Sequence, residues 1–173
     1  MTQPRLKPLD DLLPLASTPV QAYFSNRIQL AEVIEWVLVQ TGPADICIST
    51  FSTGEEFLRR FSRIREKGLV RSCSLFCDLK AARKTVAVYD FISGVFDRVF
   101  LCMNHSKVVL FHTDSLDVAL VTSQNQTRGD RNEAGVITTD CHVIEVLTAA
   151  FDSLTKNSMP LDRLFKGNNR QNI

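Results

Sequence analysis

The feature that most constrains this chain is a regular alternation of short apolar runs with longer amphipathic stretches. "ADICISTF", "VRSCSLFCD" and "RVFLCM" are strand-length runs rich in branched and aromatic side chains. Helical patterns lie before and between them. In "SNRIQLAEVIEWVLVQTG" the residues Ile28, Ala31, Val33, Ile34, Val37 and Leu38 make one apolar stripe, with Ser25 as the expected cap and Gly42-Pro43 as the stop. "STGEEFLRRFSRIREKG" opens on acidic residues, closes on basic ones and stops at Gly68, in keeping with the helix dipole. Residues 79–94 predict a third helix. After residue 104 come a strand, a turn and a second strand, then the strand "EAGVITTD" and the helix "CHVIEVLTAAFDSLTKN". Such alternation predicts an α/β fold: a mixed β-sheet flanked by helices.

A chain of 173 residues suits one core. Residues 1–24 read as an extended arm, broken by prolines but carrying leucines that need a surface to pack on. Residues 25–157 form the folded domain, and residues 158–173 a polar tail. No internal repeat is visible. The net charge of +1 gives no global attraction for nucleic acid or an anionic membrane, so any anion site must be local. No run approaches the roughly 18 apolar residues of a membrane span. The N-terminus lacks the basic-then-apolar order of a secretion signal, which makes a cytoplasmic location the expectation. The cysteines Cys47, Cys73, Cys77, Cys102 and Cys141 are odd in number and match neither a CxxC nor a finger spacing. They read as reduced, buried thiols, with no metal and no cofactor expected.

The chemistry concentrates in "NHSKVVLFHTDSLDVALVTSQNQTRGDRNEAGV", residues 104–136. Alternation along a strand from Ser106 to His112 puts His105, Lys107, Val109 and Phe111 on one face, and Val108, Leu110 and His112 on the other. Thr113-Asp114-Ser115-Leu116 supplies a turn. The return strand then brings Ser123 and Asn125 opposite His105 and Lys107, to within about a residue. A cation, neutral hydrogen-bonding groups and an imidazole suit a phosphate: Lys107 offsets its charge, Ser123 and Asn125 bind its oxygens, and His105 attacks phosphorus or moves a proton. Glu133 is placed to hold the far nitrogen of the imidazole. Arg128 and Arg131 flank the motif as further anion contacts. Arg59, Arg60, Arg63, Arg65 and Lys67 on the second helix offer a longer basic path, or simply a solvated face.

This stretch resembles the signature of the phospholipase D superfamily: His-x-Lys, an apolar strand, a turn, and a second apolar strand ending in Ser-x-Asn. A Glu before small apolar residues completes it. The resemblance implies metal-independent phosphodiester chemistry through a phosphohistidine. His105 would be the nucleophile or acid, Lys107 and Asn125 would bind phosphate, Ser123 would support them, and Glu133 would orient His105. One departure is His112, which stands where the family has an Asp. Its parity puts it on the other sheet face, so the position reads as structural, with Asp114 or Asp117 serving the turn. Thr122 replaces a common Gly. The mechanism needs two histidines and the chain carries one motif, so a homodimer with a composite site is expected. Small members of this kind point to a nuclease with DNA as partner. The alternative is a phospholipase D-like module, weak or inactive in catalysis, that binds nucleic acid or serves in assembly.

Overall fold

The computed structural model describes residues 9–127 and 130–163. The elements are β1 (Val20–Ser25), α1 (Leu30–Thr41), β2 (Ala44–Thr50), α2 (Glu55–Glu66), β3 (Val70–Asp78), a 3-10 turn (Leu79–Ala81), α3 (Ala82–Ala87) and α4 (Tyr89–Val95). They continue with β4 (Arg98–Cys102), β5 (Val108–His112), β6 (Val118–Thr122), β7 (Glu133–Thr138), α5 (Cys141–Asn157) and β8 (Met159–Pro160). One mixed sheet runs in the order β1-β7-β6-β5-β2-β3-β4-β8. Strands β2, β3 and β4 are parallel, and every other pairing is antiparallel.

Each face of this sheet buries its own side chains. Val109, Phe111, Leu120, Ile137, Ile46 and Ile48 belong to the larger core, with the α1 stripe (Val33, Ile34, Val37, Leu38) and the α2 residues Phe57, Leu58, Phe61 and Ile64. Val108, Leu110, Ala119, Phe76 and Phe100 lie in the second core with Ile144 and Phe151 of α5. The alternation expected for β5 therefore holds. The β3 run Cys73–Asp78 is buried on both faces, as a central strand covered by helices must be.

Four local readings change. Ser25 does not cap α1; it ends β1 opposite Glu133, and its hydroxyl accepts from the Arg27 amide at 3.0 Å. The cap is Gln29, whose amide donates to the Glu32 carboxylate at 3.0 Å. The single helix expected over 79–94 is a 3-10 turn and two short helices broken at Val88, whose amide closes back on Thr85 O at 3.3 Å. Branched residues at 85, 86 and 88 weaken a continuous helix there, and packing of α4 on α2 turns the chain. The N-terminal arm ends as β1, an edge strand on β7. The polar tail begins with β8, which covers the edge of β4, and Leu161 beyond it is buried.

β1 also explains one glycine. Tyr23 pairs with Gly135, and its ring lies where a side chain at 135 would be: a Cβ there would sit 2.4 Å from the Tyr23 ring. Gly135→Ala is therefore expected to destabilise the fold by about 1–3 kcal/mol through overpacking, read as a lower urea midpoint. Tyr23→Ala in the same chain should recover part of that loss.

Candidate functional site

The site follows from strand direction. The carboxyl ends of β2, β3 and β4 emerge at one end of the sheet. Because β5 and β7 run antiparallel to their neighbours, their first residues start at that same end, as does the exit of β6. Three loops meet there: residues 51–54 after β2, residues 103–107 before β5, and residues 123–127 after β6.

The His105 loop is held by a buried carboxylate. Asp78, the last residue of β3, accepts from the Lys80 amide at 2.7 Å and from the Asn104 amide at 2.9 Å. Asn104 folds back on its own loop, with Oδ1 accepting from the Ser106 amide at 3.0 Å. Ser106 Oγ lies 2.6 Å from Ser49 Oγ on β2. The His105 ring is left exposed, 5.3 Å from the Phe51 ring. Among the described residues no hydrogen bond holds that imidazole. Lys107 is half-buried, with Nζ 3.0 Å from the His105 carbonyl, and its own carbonyl accepts from the Thr122 amide at 3.0 Å. That bond carries the β5–β6 ladder one step past the strands, so the Ser-x-Asn segment runs beside His105 and Lys107. The residue across from Lys107 is Thr122, one position from the expected Ser123.

The neighbouring loop is braced just as closely. Tyr23 Oη donates to Gln124 Oε1 at 2.7 Å, and Gln124 Nε2 donates to the Ile28 carbonyl at 2.7 Å. Burial is the main cause that lifts the Tyr23 phenol to about 12, so it remains a donor at neutral pH. Two positions on, the Gln126 amide donates to Ser52 O at 3.2 Å, and Gln126 bridges Thr53 in parallel register. Four buried polar atoms here have no hydrogen-bond partner among the described residues: Asn125 Oδ1, Thr53 Oγ1 and both amide atoms of Gln126. Interiors rarely leave such groups unmet. Their confinement to two touching loops marks this end of the sheet as the place where local satisfaction is given up.

Glu133 was expected on the imidazole. Its carboxylate instead accepts from Ser123 Oγ, while Ser123 Oγ accepts from the Ala134 amide at 3.0 Å. The spacing explains it: β7 lies two strands from β5, roughly 10 Å away. Arg131 is exposed, and Arg128 lies outside the described residues. His112 sits at the opposite end of β5, its Nδ1 3.0 Å from Asp117, which also accepts from the Thr113 amide at 2.9 Å. Asp114 pairs with Arg71 at 2.7 Å. Position 112 thus belongs to the turn, as its parity suggested. The α2 cations are largely neutralised: Arg59 on Glu55, Arg60 on Glu32 and Glu56, Arg65 on Asp97, and Lys67 on Glu35. Sequence reading missed Asp78, Asn104, Tyr23 and Gln124. Asp78 alone left a signal, as an acidic residue closing an otherwise apolar buried strand.

Neither a family model nor a curated relative matches the sequence. Solved structures do match. A phospholipase D family member, Nuc from Salmonella typhimurium, superposes with a TM-score of 0.61 at 17% identity over 82% of this chain and 96% of its own. NucT from Helicobacter pylori gives 0.61 at 12% identity over 82% and 99%. TrmBL2, an archaeal chromatin protein described with a novel mode of DNA binding, gives 0.55 at 9% identity over 82% and 54%. At these identities the likeness is one of fold. The chain has the phospholipase D fold, a mixed sheet flanked by helices. No helix among the described residues is long and apolar enough to cross a membrane.

The Asp78 clip can be tested by itself. Asp78→Ala removes two hydrogen bonds to a buried charged acceptor, so a loss of about 2–4 kcal/mol in urea unfolding is expected. Hydrogen exchange at the Asn104 and Lys80 amides should quicken before that of the strand amides.

Proposed function

We propose that the protein is a phosphodiesterase acting on nucleic acid, with His105 as its nucleophile and a second copy of the chain completing the site. The observation that carries this reading is the exposed His105 imidazole beside Lys107, at the sheet end that also bears Ser123, Asn125 and Glu133. His105 attacks phosphorus and a P–O bond breaks. The leaving oxygen takes a proton from the partner copy's imidazole. That imidazole, now neutral, removes a proton from water, and the hydroxide displaces His105 from phosphorus. Lys107 and Asn125 offset and bind the non-bridging oxygens through both steps. The reaction needs one neutral ring to attack and one protonated ring to serve the leaving oxygen, and two copies of His105 at one phosphate supply both.

A surface for the second copy adjoins the site. Phe24 is 75% exposed, and Val121 and Val136 are each 44% exposed, on the α5 face of β1, β7 and β6. Phe24 pairs with Ala134 and Val136 with Ala22 and Val121, so the patch is continuous, and it runs up to Glu133 and Ser123. α5 packs on β4, β5 and β6 and leaves this end of the sheet open. A contiguous apolar patch of this kind favours a protein partner.

A second reading has one observation in its favour: the Glu133 carboxylate is bound to Ser123, and not to the imidazole, which among the described residues has no hydrogen bond. On that reading the chain binds nucleic acid without cutting it. Labelled single- and double-stranded DNA incubated in EDTA separates the two. Cleavage by the wild-type chain, reduced by about 10³-fold or more in His105→Ala, supports the enzyme. Binding with no cleavage by either chain supports the module. Phe24→Asp should convert a dimer to a monomer in sedimentation and abolish cleavage; a fully active monomer would sink the composite site.

A further inference from the structure

The placement of charge at the candidate site differs from what the sequence suggests, and the difference identifies a route for the substrate. Basic residues are densest on and just after α2, yet Arg59, Arg60, Arg65 and Lys67 there face carboxylates. The segment from Leu79 to Tyr89 holds Lys80, Arg83 and Lys84 and no acidic residue. All three cations are exposed, and among the described residues none has an ion-pair partner. Segments 1–8, 128–129 and 164–173 contain no Asp or Glu. Positions 80, 83 and 84 share one helical face, while Ala81 and Thr85 are buried. The cations therefore project from the side facing solvent.

This face is tied to the His105 loop. The Asp78 carboxylate that accepts from the Lys80 amide also accepts from the Asn104 amide, next to His105. Exposed apolar groups lie on both of the segments that Asp78 joins: Leu79, next to Lys80, is 40% exposed and Met103, next to Asn104, is 75% exposed. The Phe51 ring lies against the His105 ring. Unpaired cations interleaved with flat or flexible apolar surface suit a single strand, whose phosphates need charge and whose unstacked bases need contact.

We propose that Lys80, Arg83 and Lys84, with Leu79 and Met103, form a track that leads a single nucleic-acid strand to His105 from the β3–β4 side. The proposal rests on the reading of His105 as a phosphodiester site, and its test separates the two. Fluorescence anisotropy with a labelled single-stranded DNA oligomer and its duplex measures strand binding, in the His105→Ala background. Hydrolysis of bis(p-nitrophenyl) phosphate by chains retaining His105 measures chemistry on an ester too small to reach α3. The triple variant K80Q/R83Q/K84Q is compared with R59Q/R60Q/K67Q, which removes the same charge from ion-paired positions on α2 and its C-cap.

The α3 triple is expected to bind the single strand at least tenfold more weakly. Its salt dependence should flatten by about two units of log K per log salt, from three lost contacts at roughly 0.7 each. The α2 triple should lose less, and the duplex should bind the parent chain more weakly than the strand does. Hydrolysis of the small ester should be unchanged in the α3 triple. If no chain hydrolyses that ester, the catalytic reading fails while the binding arm still judges the track. The single variants K80Q, R83Q and K84Q, each with a partial loss, serve if the triple does not fold. Equal losses in both triples, an unaltered salt slope, or tighter duplex binding would overturn the proposal. So would a loss confined to vesicles of phosphatidylglycerol and phosphatidylcholine, with DNA binding intact.

Discussion

Strand direction is the constraint from which the rest of this structure follows. Three parallel strands set side by side must deliver their carboxyl ends to one rim, and the helices that return the chain cover the face bearing the larger core. The antiparallel strands added on the β2 side then start or stop at that rim in alternation. Polar residues that are scattered over the sequence from Ser49 to Glu133 meet there because of this arrangement alone. The rim is also where backbone groups run out of ladder partners. Asp78, Asn104 and Gln124 supply side chains in their place.

The bracing is uneven in an informative way. The backbone beneath His105 is tied to β2 and β3, yet its ring is exposed and has Phe51 as a neighbour. The backbone beneath Asn125 is tied to the β2 exit, yet several side-chain atoms there have no hydrogen-bond partner among the described residues. A rigid frame carrying unsatisfied or solvent-facing functional groups is what a site for a charged ligand requires. Reorganisation is small when the frame is fixed, and polar groups already bonded elsewhere have little to offer a phosphate. Ser123 shows the contrast, since its hydroxyl both donates to Glu133 and accepts from Ala134. Both bonds hold that loop against the start of β7.

Electrostatics follows the same logic of competition. Arg59, Arg60 and Arg65 of α2 lie within reach of carboxylates on α1, on α2 itself and just before β4, and these pairs take up their charge. Among the described residues, the three cations of α3 and its preceding turn make no ion pair. A count of basic residues ranks the helices one way, and a map of which ones remain unpaired ranks them the other.

Periodicity in the sequence was enough to give the α/β class, the limits of α5, the parity of β5 and the motif at residues 104–136, because these depend on spacing along a few adjacent residues. Parity also placed His112 away from the site. Contacts between distant segments were decided only by the tertiary structure. The arm became β1 because β7 offered an open edge, and Met159–Pro160 became β8 because β4 did. Glu133 found Ser123 because β6 lies between its strand and β5, two strand spacings from His105. Such outcomes turn on which strands end up as neighbours, a global property that a local pattern does not encode.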